Sequence, residues 1–453
     1  MRAMGLRDIL NQFYRSKVKS ENTMQNLKHL RETQWFSRSE IKEYQWNKLV
    51  SLLKYAKEKV PYYRQLLGDI DLKELDENEF RKIPVLNKKK IRTNFEDIIS
   101  EEYRESDLKY NSTSGSTGEK LEFYKDKKRI DDGEHLRPAT NFRSWEWAGI
   151  DLWDRKMKLW GLHPDIPRSI DLKEKLSDWL KNRKFLSAYD LKEETMEKYR
   201  KKINDYGPEL IISQPSVMYT FSNYLRDSGL NIHKPKAITL SAETLYPYQR
   251  KAIKDVFECE IFNRYGSREF GDIAHECEQH NGLHVYSERV YLEVINEDGD
   301  PCKPGELGEI VVTDLDNYGF PFIRYKIGDV AIRAEGECKC GRELPLLASI
   351  EGRTFDVVVC PNGNHLTGTF WTILLRERID GIQDFKLIQR RKDDIELKMV
   401  TDDRFNEKEK KKLLKIISQK CGKGMEIDFT EVDSIENKKA GKKRFIVSKV
   451  DSF

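Results

Sequence analysis

Residues 236–266 read KAITLSAETLYPYQRKAIKDVFECEIFNRYG. KAITLSA (236–242) and CEIFNRYG (259–266) are short apolar runs of strand length, and YPYQRKAIKDVF (246–257) between them reads as a helix. A third run, LIISQP (210–215), lies just upstream. Strand–helix–strand alternation of this kind predicts a parallel α/β sheet.

The pattern changes on either side. LHVYSERVYLEVI, GEIVVTDL and DVAIRAEG are strands separated by Gly, Pro and Asp turns, so about 283–350 is expected to form a β-rich subdomain. Beyond Arg353, FKLIQRR, DIELKMV, EKEKKKLLKIISQK and MEIDFTEV follow in β-β-α-β order. Residues 354–453 are therefore expected to form a small mobile α+β domain, with 1–353 as the large one. The lysine-rich face of its helix reads as a solvated surface, with a partner or nucleic-acid site as the alternative. Residues 1–60 look helical, with an amphipathic pattern through EYQWNKLVSLLKYAKEK that Pro61 is expected to stop. The segment MRAMGLRDILNQFYR reads as a short amphipathic helix packed on the body, with loose membrane-surface contact as the alternative. Asn87 is the expected cap of a helix starting at LNKKK.

Composition narrows the function. A chain of 453 residues exceeds one core, at about 100–200 residues per domain. The formal net charge is +4, from 81 basic and 77 acidic residues, so no clustered excess points to nucleic acid. No run approaches the ~18 apolar residues of a membrane span, and no apolar signal core is present at the N-terminus. The cysteines are Cys259, Cys277, Cys302, Cys338, Cys340, Cys360 and Cys421. An odd count without a signal peptide argues for a reducing, cytoplasmic setting.

Three segments carry chemistry. In NSTSGSTGEKLEFYK (111–125), Ser112, Thr113, Ser114, Ser116 and Thr117 surround Gly115 and Gly118. Glycines free backbone N–H groups to face an anion, and hydroxyls add donors, which suits phosphate. It is not a Walker loop, since no Gly-Lys-Ser/Thr follows. By itself it also reads as a hydroxyl-rich surface linker. In IFNRYGSREFGDIAHEC (261–277) a strand ends at Tyr265-Gly266-Ser267, before Arg268 and Glu269. Strand ends are where α/β sheets bind ligands, and a carboxylate there can hold Mg²⁺ beside phosphates. The alternative is an ordinary turn with an exposed ion pair. In TDLDNYGFPFIRYKIGDVA (313–331), Asp329 follows a glycine turn, where it can accept two ribose hydroxyls or satisfy its own turn.

The order of these pieces resembles the adenylate-forming superfamily of acyl-CoA synthetases. STSGSTG is followed by SAET (241–244), YGSREFG, FIRYKIGD, IEGR (350–353) and a terminal GKKRF (441–445). More narrowly, the chain resembles the phenylacetate–CoA ligase family, including its capsular-polysaccharide-associated branch. LLKYAKEKVPYYRQLL, ECEQHNGLHV and CKCGRELPLLASIEGR share that resemblance, which runs over roughly the whole chain. It implies ATP-dependent conversion of a carboxylic acid to an acyl-adenylate, then transfer to a thiol, usually coenzyme A, or to an amine or amino sugar. A catalytically silent scaffold is the alternative from another class. By resemblance, Ser114, Gly115, Ser116, Thr117 and Gly118 cradle the phosphates. Ser241, Ala242 and Glu243 line the adenine pocket with Arg264, Tyr265, Gly266 and Ser267. Glu269 holds Mg²⁺, Asp329 the ribose, and Arg353 lies nearby. Lys442 is the lysine of the small domain, in competition with Lys438, Lys439 and Lys443. The family's Gly-Arg-x-Asp-Asp hinge is altered here to Gly352-Arg353-Thr354-Phe355-Asp356, which moves the expected pivot to Asp356.

Cys338 and Cys340 form a Cys-x-Cys knuckle, with Cys277 and His284 in the preceding segment. Two thiolates on a knuckle, plus a distant Cys and His, make a four-ligand structural Zn²⁺ set. His280, in Cys-x-x-His spacing, competes with His284, and metal-free buried cysteines are the alternative. The acid pocket is expected near 135–165 and 212–245, which contain Trp145, Trp147, Trp160, His163 and Tyr219, with plain core packing as the alternative for these aromatics.

Overall fold

The computed structural model describes residues 21–113, 120–160, 182–188, 191–422, 424–435 and 445–450. The three apolar runs form the strands Leu210–Ser213, Ala237–Ser241 and Glu260–Ser267, with the helix Pro247–Phe257 between the last two. Every residue of the first two strands is buried. Period-two geometry sends alternate side chains to two cores, which is why these strands read as continuous apolar runs. Ile211, Ile238 and Ile261 face the helices Glu193–Tyr206, Pro215–Asp227 and Pro247–Phe257. Leu210, Ile212, Ala237 and Phe262 face Trp145, Ala148 and Ile150 at the end of the helix Arg137–Trp147.

The expected parallel sheet and β-rich subdomain are one 11-stranded mixed sheet. From one edge its order is Val290–Ile295, Leu307–Asp314, Tyr325–Arg333, Leu346–Arg353, Leu283–Val285, Gly271–Glu276, Glu260–Ser267, Ala237–Ser241, Leu210–Ser213, Lys156–Trp160 and Arg183–Ser187. Pairing is parallel from Glu260–Ser267 to the Arg183–Ser187 edge, and antiparallel on the other side. The antiparallel half packs on the N-terminal helices Arg38–Lys59 and Pro61–Leu66 through Leu49, Leu53, Tyr63, Phe322 and Tyr325. Pro61 ends the first of these helices and opens the second, because a first-turn proline lacks only an N–H that would be unpaired anyway. Asn87 caps the helix Lys88–Thr93, accepting from the Lys90 N–H. Residues 1–20 lie outside the described part.

After Arg353 the chain makes one 3₁₀ turn, Thr354–Asp356. A four-stranded sheet follows in the order Glu426–Glu431, Asp394–Thr401, Ile382–Arg391, Ile446–Ser448. Its core holds Trp371, Phe385, Leu413 and Ile417. The helix Glu407–Cys421 buries Leu413 and Ile417 and exposes Lys408, Lys411, Lys412 and Lys415, as its pattern predicts.

Candidate active site

The sheet changes from parallel to antiparallel at the turn between Glu260–Ser267 and Gly271–Glu276. The two strands approach so closely that a Cβ on Gly266 would lie 2.3 Å from the Gly271 carbonyl oxygen, so only glycine fits. The turn places Arg268 and Glu269 at the strand end. The Arg268 guanidinium donates to the Ser112 carbonyl at 2.7 Å, tying the turn to the hairpin that carries the hydroxyl–glycine loop. Thr113 holds the far side of that hairpin, its hydroxyl accepting from the Leu121 N–H at 2.9 Å. Ser114, Gly115, Ser116, Thr117 and Gly118 lie outside the described residues.

Glu269 is buried and accepts from the Tyr325 hydroxyl at 3.4 Å. Asp329 stands opposite Arg353 in the antiparallel register. Arg353 Nε is 2.8 Å from Asp329 Oδ1, and the Tyr265 hydroxyl donates to Oδ2 at 2.8 Å. Burial, followed by the Asp329 charge, holds the Tyr265 phenol well above its ordinary range, so it stays a donor. Asp329 in turn raises the Arg353 guanidinium. Glu269, Asp329, Arg353 and Tyr265, separated by up to 88 positions in sequence (265 to 353), thus share one side of the junction.

Lys88 joins this group and was not singled out from sequence. Burial, then the Arg353 charge, pushes its ammonium below the ordinary lysine value, and Glu269 and Asp329 act on it in the opposite sense. Its only signal in sequence was its place after the Asn87 cap, one lysine in a run of three.

Ser241 ends the neighbouring strand in register with Arg264. Ala242 adopts φ +74°, turning the chain sharply there. Glu243 accepts from the Ser216 N–H at 3.0 Å, at the start of the helix Pro215–Asp227. Ser267 accepts from the Phe270 N–H at 3.2 Å, closing the Glu269 turn. Arg264 pairs with Asp272 at 3.3 Å. Asp356 lies beside Gly352, whose added Cβ would meet Asp356 Oδ2 at 3.8 Å. Lys442, with Lys438, Lys439 and Lys443, lies outside the described residues.

The aromatics expected around the acid pocket divide. Trp145 and Trp160 pack against the same apolar cluster on the parallel half of the sheet. Trp147 is elsewhere, donating from Nε1 to Gln34 at 2.7 Å. Tyr219 packs edge-on against Tyr248, and His163 lies outside the described residues.

A second cluster forms where Cys277, His284, Cys338 and Cys340 converge, their donor atoms all within 4.8 Å of one another. Cys277 Sγ is 3.5 Å from Cys338 Sγ, and Cys340 Sγ is 3.4 Å from His284 Nε2. Ligands at about 2.3 Å (S) and about 2.0 Å (N) around a tetrahedral Zn²⁺ stand about 3.5–3.8 Å apart, so the set fits that ion. Backbone N–H groups of Gln279 and Arg342 point at Cys277 and Cys340 sulfurs, as charged thiolates require. Burial pushes the His284 ring down to about 4, leaving it neutral, the form that ligates. His280 is engaged by Glu260 and Glu276, both at 3.1 Å, which removes it from the set.

Residues 358–449 match the CapK C-terminal domain. Protein CapK of Staphylococcus aureus is 23% identical over 442 residues, 94% of this chain and 92% of that protein. Phenylacetate-coenzyme A ligase of Escherichia coli is 24% identical over 335 residues, 71% of this chain and 72% of that one. Among solved structures, 2-hydroxyisobutyryl-CoA ligase, in its postadenylation state with a bound acyl-adenylate, superposes with a TM-score of 0.72 at 16% identity, covering 92% of this chain and 91% of that one. No helix among the described residues is long and apolar enough to cross a membrane. The chain is a homologue of CapK and of the phenylacetate–CoA ligases, with a CapK C-terminal domain and the α/β fold of the adenylate-forming acyl-CoA ligases.

Proposed function

We propose that this chain is an ATP-dependent adenylate-forming ligase that converts a carboxylic acid to its acyl-adenylate and passes the acyl group to coenzyme A. The observation that carries this reading is the Asp329–Arg353–Tyr265 constellation beside Glu269, at the junction between the parallel and antiparallel halves of the sheet. Asp329 keeps one oxygen on Arg353 and the other on Tyr265, and each oxygen has lone pairs left for a ribose hydroxyl. Glu269 uses one oxygen on Tyr325, which leaves the other to hold Mg²⁺; when bound, that ion neutralises phosphate charge.

In the first half-reaction a substrate carboxylate oxygen attacks the α-phosphorus, and pyrophosphate leaves. Negative charge moves onto the phosphates, so fixed donors dominate the rate. The loop 114–118 supplies backbone N–H and hydroxyl donors, Lys88 adds a cation beside Glu269, and Lys442 bridges the carboxylate and the α-phosphate. In the second half-reaction the thiol sulfur attacks the acyl carbon, and AMP leaves. The small domain swings about Asp356 between the two steps. The four-ligand Cys/His cluster holds structural Zn²⁺, and the seven thiols belong to a cytoplasmic protein.

Acid-dependent exchange of labelled pyrophosphate into ATP tests the first step, and thiol-dependent AMP release the second. Exchange without coenzyme A-dependent release would move the acceptor to an amine or amino sugar. No exchange with any acid in a broad library would sink the enzymatic reading. Lys442→Ala is expected to depress exchange about 100-fold, the loss of one fixed charge contact in the transition state, with ATP affinity largely kept. Unchanged exchange in that variant would remove Lys442 from the site.

A further inference from the structure

The small domain meets the large one through polar and aromatic contacts rather than a shared core. Among the described residues, the apolar cluster around Trp371, Phe385 and Leu413 contains only small-domain side chains, and the clusters of the large domain contain none of them. Two domains without a common core move against each other by default, so their relative position depends on the side chains at the boundary.

Residues 365–376 supply the small-domain side of that boundary. Thr367 caps the helix Gly368–Ile373, and its hydroxyl donates to Glu351 Oε2 at 2.6 Å. Both residues are buried, and Glu351 belongs to the strand Leu346–Arg353 of the large domain. His365 Nε2 pairs with Glu297 Oε1 at 3.2 Å. The Tyr246 hydroxyl faces Gly368, whose added Cβ would lie 3.7 Å from it. After the helix the chain makes one π turn, Leu374–Arg378, which carries the Arg376 guanidinium to 5.7 Å from the centre of the Tyr248 ring.

Both sides of this last contact are fixed within their own domains. Arg376 pairs with Asp384 at 3.0 Å, donates to the Gln383 carbonyl at 3.2 Å, and lies over the Phe385 and Phe445 rings at 5.8 and 5.2 Å. π turns interrupt the regular helix and recur at functional sites. On the large domain, Tyr248 stacks on Tyr246 at 6.0 Å with an 8° tilt, and packs edge-on against Tyr219. The two stacked tyrosines flank Pro247, at the start of the helix Pro247–Phe257 and a few residues beyond Ser241, Ala242 and Glu243. A largely buried cation thus meets a fixed aromatic face, and such a contact strengthens as the cation loses water.

The arrangement of the domains is informative. Of the solved forms of 2-hydroxyisobutyryl-CoA ligase, the postadenylation form superposes with a TM-score of 0.72 over 92% of this chain, and the thioesterification form with 0.58 over 91%. The two domains of this chain thus sit closer to the former arrangement. We propose that Tyr248 and Arg376 are positioning residues, whose contact holds the small domain in the arrangement of the first half-reaction and breaks before the second. The inference rests on the adenylation reading and deepens it. Tyr246 and Tyr248 belong to the large domain and cannot follow a small domain that swings about Asp356, so Arg376 leaves the ring as acyl transfer begins.

Small-angle scattering of the full-length protein reads the balance between the two arrangements without any acid. Arg376→Ala and Tyr248→Ala are each expected to shift that balance about 5-fold away from the present arrangement, the loss of one partly desolvated cation–π contact. The double variant is expected to shift it no further than either single one, and Tyr248→Phe, which keeps the ring, to match the wild type. Tyr248→Ala leaves the small domain intact should Arg376→Ala unfold it, because Arg376 also pairs with Asp384. With an acid found by pyrophosphate exchange, both alanine variants are expected to lower exchange about 5-fold, while acyl transfer in a single turnover holds or speeds up. General loss of structure does not produce that split. An unmoved balance in both single variants, shifts that add in the double variant, or an equal fall in both half-reactions would overturn the proposal. A shifted balance with no exchange from any acid would sustain the interdomain contact and overturn the adenylation reading.

Discussion

Asp329→Ala is expected to raise the KM for ATP by about 100-fold or more, because the proposed ribose contact consists of two charge-assisted hydrogen bonds, each worth about 1.5–3 kcal/mol, that go with the carboxylate. The same change acts on stability. The Tyr265 hydroxyl is buried and would lose its acceptor, at a cost of about 1–3 kcal/mol. Arg353 is partly exposed and can turn to solvent, so its loss of a partner adds less. Asp329→Asn separates the two effects. It retains an acceptor for Tyr265 and keeps the stability, while weakening the ribose contact and the pairing with Arg353. ATP titration of pyrophosphate exchange and thermal unfolding of both variants provide the test. A KM for ATP that is unmoved in Asp329→Ala would place the nucleotide elsewhere.

Serine at position 338 is expected to abolish stoichiometric zinc and to lower the melting temperature. A four-ligand zinc site contributes folding energy directly, about 10–16 kcal/mol in small zinc-finger peptides. In a large domain with its own core a smaller share is at stake, roughly 3 kcal/mol or more, or roughly 5–10 °C in Tm. The location of the cluster explains why the loss spreads. Cys277 and Cys338 pack with Ile41, Trp147, Tyr286 and Leu344. Beside them the Arg342 guanidinium lies between the rings of Trp35 and Trp147, at 4.9 and 5.0 Å, and donates to Glu278 at 3.0 Å. The cluster thereby fastens the N-terminal helices to the sheet. Metal analysis of the purified protein with and without the substitution decides the matter. Wild-type protein without zinc, or a variant that melts with the wild type, would return these residues to plain buried thiols. His280→Ala is the internal control, expected to retain the metal because His280 is held by Glu260 and Glu276.

The strands were legible because burial on both faces writes itself as a continuous apolar run. Leu210–Ser213 and Ala237–Ser241 fall inside runs read from sequence, Glu260–Ser267 passes the end of its run by one residue, and the small domain follows its β-β-α-β pattern. Lys156–Trp160 and Arg183–Ser187 were not read. Lysines and arginines occupy strand positions there, with Lys158 folded over the Trp160 ring, so the apolar signal is broken. That the two halves form one sheet was also not readable, since register between Leu283–Val285 and Leu346–Arg353 depends on contacts across more than sixty positions.

The hydroxyl–glycine run, the Tyr-Gly-Ser-Arg-Glu turn, Asp329 and Arg353 were visible in the sequence as residue types in a fixed order. Alternation of apolar runs and helices determined the fold class, and the order of the motifs carried the superfamily resemblance, which implied the nucleotide chemistry that no single motif established. Tertiary structure decided what depends on distance. It paired Asp329 with Arg353 and Tyr265, brought Lys88 to the same group, and placed His284 rather than His280 beside the three cysteines. Spacing along a chain fixes neighbours within a turn or two. Which charged side chain meets which across a sheet is set by register and burial, and those exist only once the chain has folded.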